Sequence, residues 1–96
     1  MSKFLVAAIG AISIAAAGVG YAEPPAGAVS CSGCHPTSTR VTSPVPRLNG
    51  LDHAAIIKAM QDFRSGARQA TVMDRIAKGF TDQEIQAIAA WLAAQK

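Results

Sequence analysis

Cys31-Ser32-Gly33-Cys34-His35 is the stretch whose residue types and spacing carry the most chemistry: two thiols three positions apart, with an imidazole directly after the second. This is the C-x-x-C-H pattern of covalent haem attachment. The two thiols can add across the two vinyl groups of the porphyrin, leaving thioethers that tether the ring. The imidazole after the second cysteine is then held under the iron, where Nε2 can bond it as an axial ligand. Ser32 and Gly33 are small enough for the backbone to lie close to the porphyrin edge. Two other chemistries compete. A redox disulfide of this spacing belongs in a βαβ setting, for which the chain has no pattern. Zinc asks for four ligands, and the chain has only 2 cysteines. Haem attachment is the reading that uses every residue of the motif.

One histidine leaves the sixth position of the iron to be filled, and the filler decides the chemistry. Methionine makes a six-coordinate, high-potential electron-transfer iron, whereas an open site favours gas binding or peroxide chemistry. Outside the N-terminal apolar run the candidates are Met60, Met73 and His53. Met60 shares a helical stripe with Ile56 and Phe63, which suits core filling. His53 falls at the first position of a helix, where solvent is the usual neighbour. Met73 ends the non-helical run Gln69-Ala70-Thr71-Val72, and a loop can lay its backbone over a ring face and point a thioether at the iron. Met73 is therefore the expected distal ligand. No histidine–arginine pair is available for a catalytic distal pocket, which weighs against a haem enzyme or gas sensor.

Pro46-Arg47-Leu48-Asn49-Gly50 is open to two readings. A ligating histidine normally donates its other ring N–H to a fixed acceptor. The Pro46 carbonyl in a rigid loop would serve, with Leu48 packed on the haem edge. An ordinary turn explains the same residues equally well.

The elements that must position these groups are helical. Ala28-Val29-Ser30-Cys31 reads as one or two turns leading into the motif, with Pro36 as the stop. Thr37 to Asn49, rich in serine, threonine and proline, reads as loop. Asp52 is an N-cap with Leu51 and Ile56 as a hydrophobic staple, for a helix from His53 to about Arg64 stopped by Gly66. Met73 to Lys78 forms a short helix ended by Gly79. Thr81-Asp82-Gln83-Glu84 is a capping box for a last helix to about Ala94, with Ile85, Ile88, Ala89 and Leu92 inward. The fold class is all-α.

Ahead of these elements, Lys3 and the apolar run Phe4 to Val19 read as a secretory signal, with Gly20-Tyr21-Ala22 as the cleavage site. The run is shorter than the ~20 residues a spanning helix needs. Residues 1–22 are thus expected to be removed outside the cytoplasm, leaving 23–96 as one small domain with no membrane span. Loss of Lys3 lowers the formal net charge of +3 by one. Two haem propionates would bring the remainder near neutrality, so the basic balance is no argument for nucleic acid. A domain this short buries a marginal core and needs a staple, a part the haem would play.

The order of these features resembles class I cytochromes c: C-x-x-C-H, then P-x-L-x-G, a helix, a methionine loop and an amphipathic C-terminal helix, over nearly all of residues 28–95. Phe63-Arg64-Ser65-Gly66-Ala67-Arg68 is similar to the F-x-x-G-x-R segment of short bacterial members. The run Thr71 to Ile85 is similar to the haem subunit of sulfide-oxidising flavocytochromes c. The resemblance implies a small fold wrapped around one haem c on Cys31 and Cys34, with His35 proximal and Met73 distal. It also implies a hydrogen bond from the His35 ring to the Pro46 carbonyl. For function it implies periplasmic transfer of single electrons, the chain being the haem subunit of an FAD-containing sulfide dehydrogenase; the alternative is a freely diffusing carrier. Two features depart from the family pattern: Pro36 stands where glycine is usual, and Pro24-Pro25 and Gly27 shorten the N-terminal helix.

Overall fold

The computed structural model describes residues 8–13 and 23–96. The expected signal segment lies outside the described residues except for 8–13, which have no regular structure. Four helices follow in chain order: α1 (Ala28–Cys31), α2 (His53–Ser65), α3 (Met73–Ala77) and α4 (Asp82–Ala94). There is no strand among the described residues, and none of their helices is long and apolar enough to cross a membrane.

Local chemistry sets the boundaries. The Asp52 carboxylate accepts the Ala55 backbone N–H at 3.1 Å, satisfying one of the free donors at the start of α2. Gly66 ends the helix at φ 83°, a conformation that side chains disfavour. At α4 the capping box closes in both directions. Thr81 Oγ1 accepts from the Glu84 N–H at 3.1 Å, and Glu84 Oε1 accepts from the Thr81 N–H at 3.0 Å. Leu51 remains 44% exposed while Ile56 is buried, so Ile56 carries the apolar contact at the start of α2 and the expected staple is one-sided.

The core is thin. Ala28, Ile56, Ile88, Ala89 and Leu92 form one buried cluster, and Cys31, Leu48, Ile57, Phe80 and Trp91 pack around it. Helix α2 packs on α3 and α4, and α1 packs on α4. The first and last helices therefore do meet, although α1 is a single turn. Ala28, 1% exposed, is the residue it presses into the cluster. Immediately before it, Gly27 adopts φ 87°, and a Cβ there would stand 2.6 Å from Phe80 Cε1. Only glycine permits both the turn and this approach. An ion pair joins the end of α2 to the start of α4: Arg64 Nη1 meets Asp82 Oδ1 at 2.6 Å, and Nη2 donates to the Phe80 carbonyl at 3.2 Å.

Candidate functional site

Helix α1 stops at Cys31, five residues before Pro36, and the backbone then tightens. The Ser32, Gly33 and Cys34 N–H groups bond carbonyls three residues back, and the His35 N–H returns to the Cys31 carbonyl at 2.9 Å. These i−3 bonds are the narrower 3₁₀ pattern, in which side chains three apart eclipse. Cys31 and Cys34 thus come off one tight turn, with His35 held against it.

Cys31 is half-buried against the core cluster, and its Sγ lies 3.7 Å from the Gly27 carbonyl. Burial pushes its thiol up from the ordinary cysteine range, a backbone hydrogen bond opposing part of that. Cys34 is exposed, and both thiols are free.

His35 Nδ1 lies 2.5 Å from the Pro46 carbonyl oxygen, eleven residues away in sequence. A carbonyl oxygen only accepts, so this contact requires the ring proton on Nδ1. In the neutral ring this tautomer leaves the lone pair on Nε2, the form a metal ligand needs. Of the two readings open for Pro46, the acceptor is the one the structure uses. Leu48 packs on the core cluster. It also lines a hollow together with Ala28, Cys31, His35, Trp91 and Leu92. The wall surface of this hollow is mainly apolar, although Ser32, Thr37 and Asn49 join the thiol and the imidazole in its lining.

Met73 is the first residue of α3 and is half-buried. It is not on the lining of the hollow that His35 shares, so the structure brings together Cys31, His35, Pro46 and Leu48 and leaves Met73 on a separate element. Met60 is half-buried on α2, outside the buried core cluster, and His53 is exposed. Arg68 stacks over the Phe63 ring, 4.8 Å from its centroid. Trp91, one turn from Ile88 on α4, packs on the core cluster and also lines the hollow. One participant escaped sequence reasoning: Arg47 reaches two loop carbonyls, and its only sequence signal was its place beside Pro46.

The donor set fits a haem better than a bare ion. Among the described residues no three His, Cys, Asp or Glu side chains converge as a metal cluster. Thioether attachment does not need convergence, because the two sulfurs bond the ring edge while the imidazole addresses its centre. A thin core with an apolar hollow beside the motif is also what a large flat cofactor would complete.

Comparison with known proteins agrees. The chain is 44% identical over 61 residues to the cytochrome subunit of sulfide dehydrogenase of Chlorobaculum tepidum, covering 64% of this chain and 56% of that protein. It is 39% identical over 69 residues to the thiosulfate dehydrogenase electron acceptor of Stutzerimonas stutzeri, covering 70% and 32%. It is 31% identical over 100 residues to cytochrome c4 of Pseudomonas aeruginosa, covering all of this chain and 50% of that one. The chain spans about half the length, or less, of the curated relatives it matches. No family model matches it. The relatives and the helical architecture, without a strand among the described residues, agree on the small all-α class I cytochrome c fold, and the cofactor is haem c, held covalently.

Proposed function

We propose that this chain is an exported monohaem c-type cytochrome that passes single electrons, and that it is the haem subunit of a sulfide dehydrogenase. The observation that carries the reading is the 44% identity over 61 residues to a protein of that kind. The relatives named as cytochromes or as an electron acceptor support the coarser statement of electron transfer.

In this reading Cys31 and Cys34 would hold the ring by two thioethers. His35 would offer Nε2 to the iron, its ring fixed through Nδ1 by the Pro46 carbonyl. Leu48 would exclude water beside the ring, and Met73 would offer its sulfur as a second ligand. When bound, the haem would supply a one-electron iron couple. Protein groups held by covalent tethers and by the fold would leave little to rearrange on a change of oxidation state. Residues 1–22 direct export to the periplasm and are removed after Ala22.

The partner in this reading is an FAD-containing subunit. Oxidation of sulfide to sulfur releases two electrons, and one iron accepts one at a time, so a two-electron acceptor must stand between them. A flavin takes the pair and passes it on singly. The holoprotein is near neutral, which suits a standing complex over a carrier steered by a strong charge patch. The test is to purify the holoprotein from its native host and add sulfide. A co-purifying FAD protein in 1:1 ratio, with rapid haem reduction, is the expected result. A free cytochrome that sulfide reduces only slowly would make it a diffusing carrier for another reductase.

A further inference from the structure

Between α1 and α2 runs a loop, residues 32–52, without regular secondary structure apart from turns. Its own hydrogen bonds are mostly local: the Arg40 N–H to Ser38 Oγ and the Val45 N–H to Ser43 Oγ span two residues each. At its far end the Gly50 N–H anchors it to the Leu92 carbonyl at 3.0 Å. Two bonds cross the loop from one limb to the other. One is His35 Nδ1 to the Pro46 carbonyl. The other comes from Arg47, next to Pro46, whose Nε donates to the carbonyl of Thr37, two residues beyond His35, at 2.8 Å. The same guanidinium sends Nη1 to the Asn49 carbonyl at 3.3 Å.

We propose that Arg47 is a positioning residue for the axial histidine: one guanidinium clamps the limb carrying the acceptor to the limb carrying the ring. The proposal rests on the reading of His35 as an iron ligand. The physical reason lies in the shape of the group. A guanidinium is a planar fork with donors in fixed directions, so holding Thr37 and Asn49 together fixes the relative placement of both limbs. A lysine at this position would keep the charge and lose the fork. Without the clamp, the Pro46 carbonyl is held on the imidazole only from its own side, by the Leu48 packing and the Gly50 anchor, with nothing but the His35 contact itself tying the two limbs together. The ring then gains freedom to rotate, and its N–H is more often bare to water. Groups that hydrogen-bond a metal-ligating histidine typically cost about 10–100-fold in metal affinity or activity when removed; Arg47 acts one step further out, through the limb that carries the Pro46 carbonyl.

The test uses the haem-loaded protein as wild type, Arg47→Lys and Arg47→Gln. Nuclear magnetic resonance reads solvent exchange of the His35 Nδ1–H beside that of the Leu92 amide in α4, and redox titration reads the midpoint potential. Both variants are expected to speed exchange of the ring proton several-fold relative to wild type. The α4 amide should stay near its wild-type rate, and both midpoints should shift in the same direction. Wild-type ring exchange in Arg47→Lys would reduce the residue to a charge and overturn the proposal. Parallel acceleration of the ring proton and the α4 amide would also overturn it, because that is general loosening of the fold. If neither variant accumulates with haem, the wild-type protein decides. An Arg47 Nε–H protected from exchange supports the clamp, and one exchanging at the rate of free arginine refutes it. Failure of the parent reading looks different: His35 would then show no paramagnetic shift in the oxidised protein.

Discussion

Replacing Gly27 with alanine tests the packing of α1 on α4. Two costs add at this site, and the structure separates them. The backbone stands at φ 87° and ψ −17°, where an L-residue loses about 1–2 kcal/mol through crowding of its Cβ. The new Cβ would also stand 2.6 Å from Phe80 Cε1, 3.2 Å from Cζ and 3.5 Å from Ile88 Cδ1. Carbon atoms rest comfortably at about 3.5–4.0 Å, so the Phe80 ring must withdraw or α1 must lift from α4. Overpacking of that kind costs about 1–3 kcal/mol. The expected loss is therefore about 2–5 kcal/mol, a large part of the ~5–15 kcal/mol that holds a domain folded. Gly66 is the internal control. It has nearly the same φ, 83°, but its Cβ would meet nothing within 4 Å. Gly66→Ala should show the backbone cost alone, about 1–2 kcal/mol. The assay is guanidinium unfolding of the haem-loaded proteins, with Phe80→Leu added to Gly27→Ala as a third variant. That smaller side chain should return part of the Gly27→Ala loss and none of the backbone part. Equal losses for the two glycines, or no recovery with Phe80→Leu, would refute the clash.

Three further outcomes are expected. Met73→Ala should abolish the sulfur-to-iron charge-transfer band of the oxidised protein and lower the reduction potential. Met60→Ala should leave the band and cost about 1–2 kcal/mol in an unfolding titration, below the ~2–5 kcal/mol of a fully buried methionine, because Met60 is only half-buried; a band lost from the Met60 variant instead would reverse the two roles. Thr81→Ala should weaken α4 by about 1 kcal/mol through loss of the cap, read from thermal unfolding. The fourth measurement is acid unfolding of wild type and Glu84→Gln. Hydrogen bonds from the Thr81 backbone N–H, and then its side chain, hold the Glu84 carboxyl below the ordinary glutamate range. A lowered folded pKa contributes stability above the unfolded value of about 4.3 and loses it as pH falls through the lower folded value. Wild type should lose that increment in this window and Glu84→Gln should not; identical acid profiles would remove Glu84 from the account.

Much of this protein was legible in its chain because the signals are local. A capping box occupies four consecutive residues, and Thr81 to Glu84 closes as read because both hydrogen bonds lie within one turn. Asp52 and Gly66 bound α2 for the same reason. The C-x-x-C-H motif is local as well, and its chemistry follows from residue types alone. Relations between distant segments were decided only by the tertiary structure. Pro46 read equally as a turn or as an acceptor, and the choice depended on a loop folding back eleven residues to His35. Arg47 carried no motif, and its part appears only once Thr37 and Asn49 stand within reach of one guanidinium. The two prolines and Gly27 rightly announced a short α1. They did not reveal that a single turn suffices to seat Ala28 in the core, because that depends on Phe80 and Ile88 approaching a glycine without a Cβ. Hydrogen bonds within a turn are written in adjacent residues, whereas packing across the fold is written in shapes that meet only after the chain has closed.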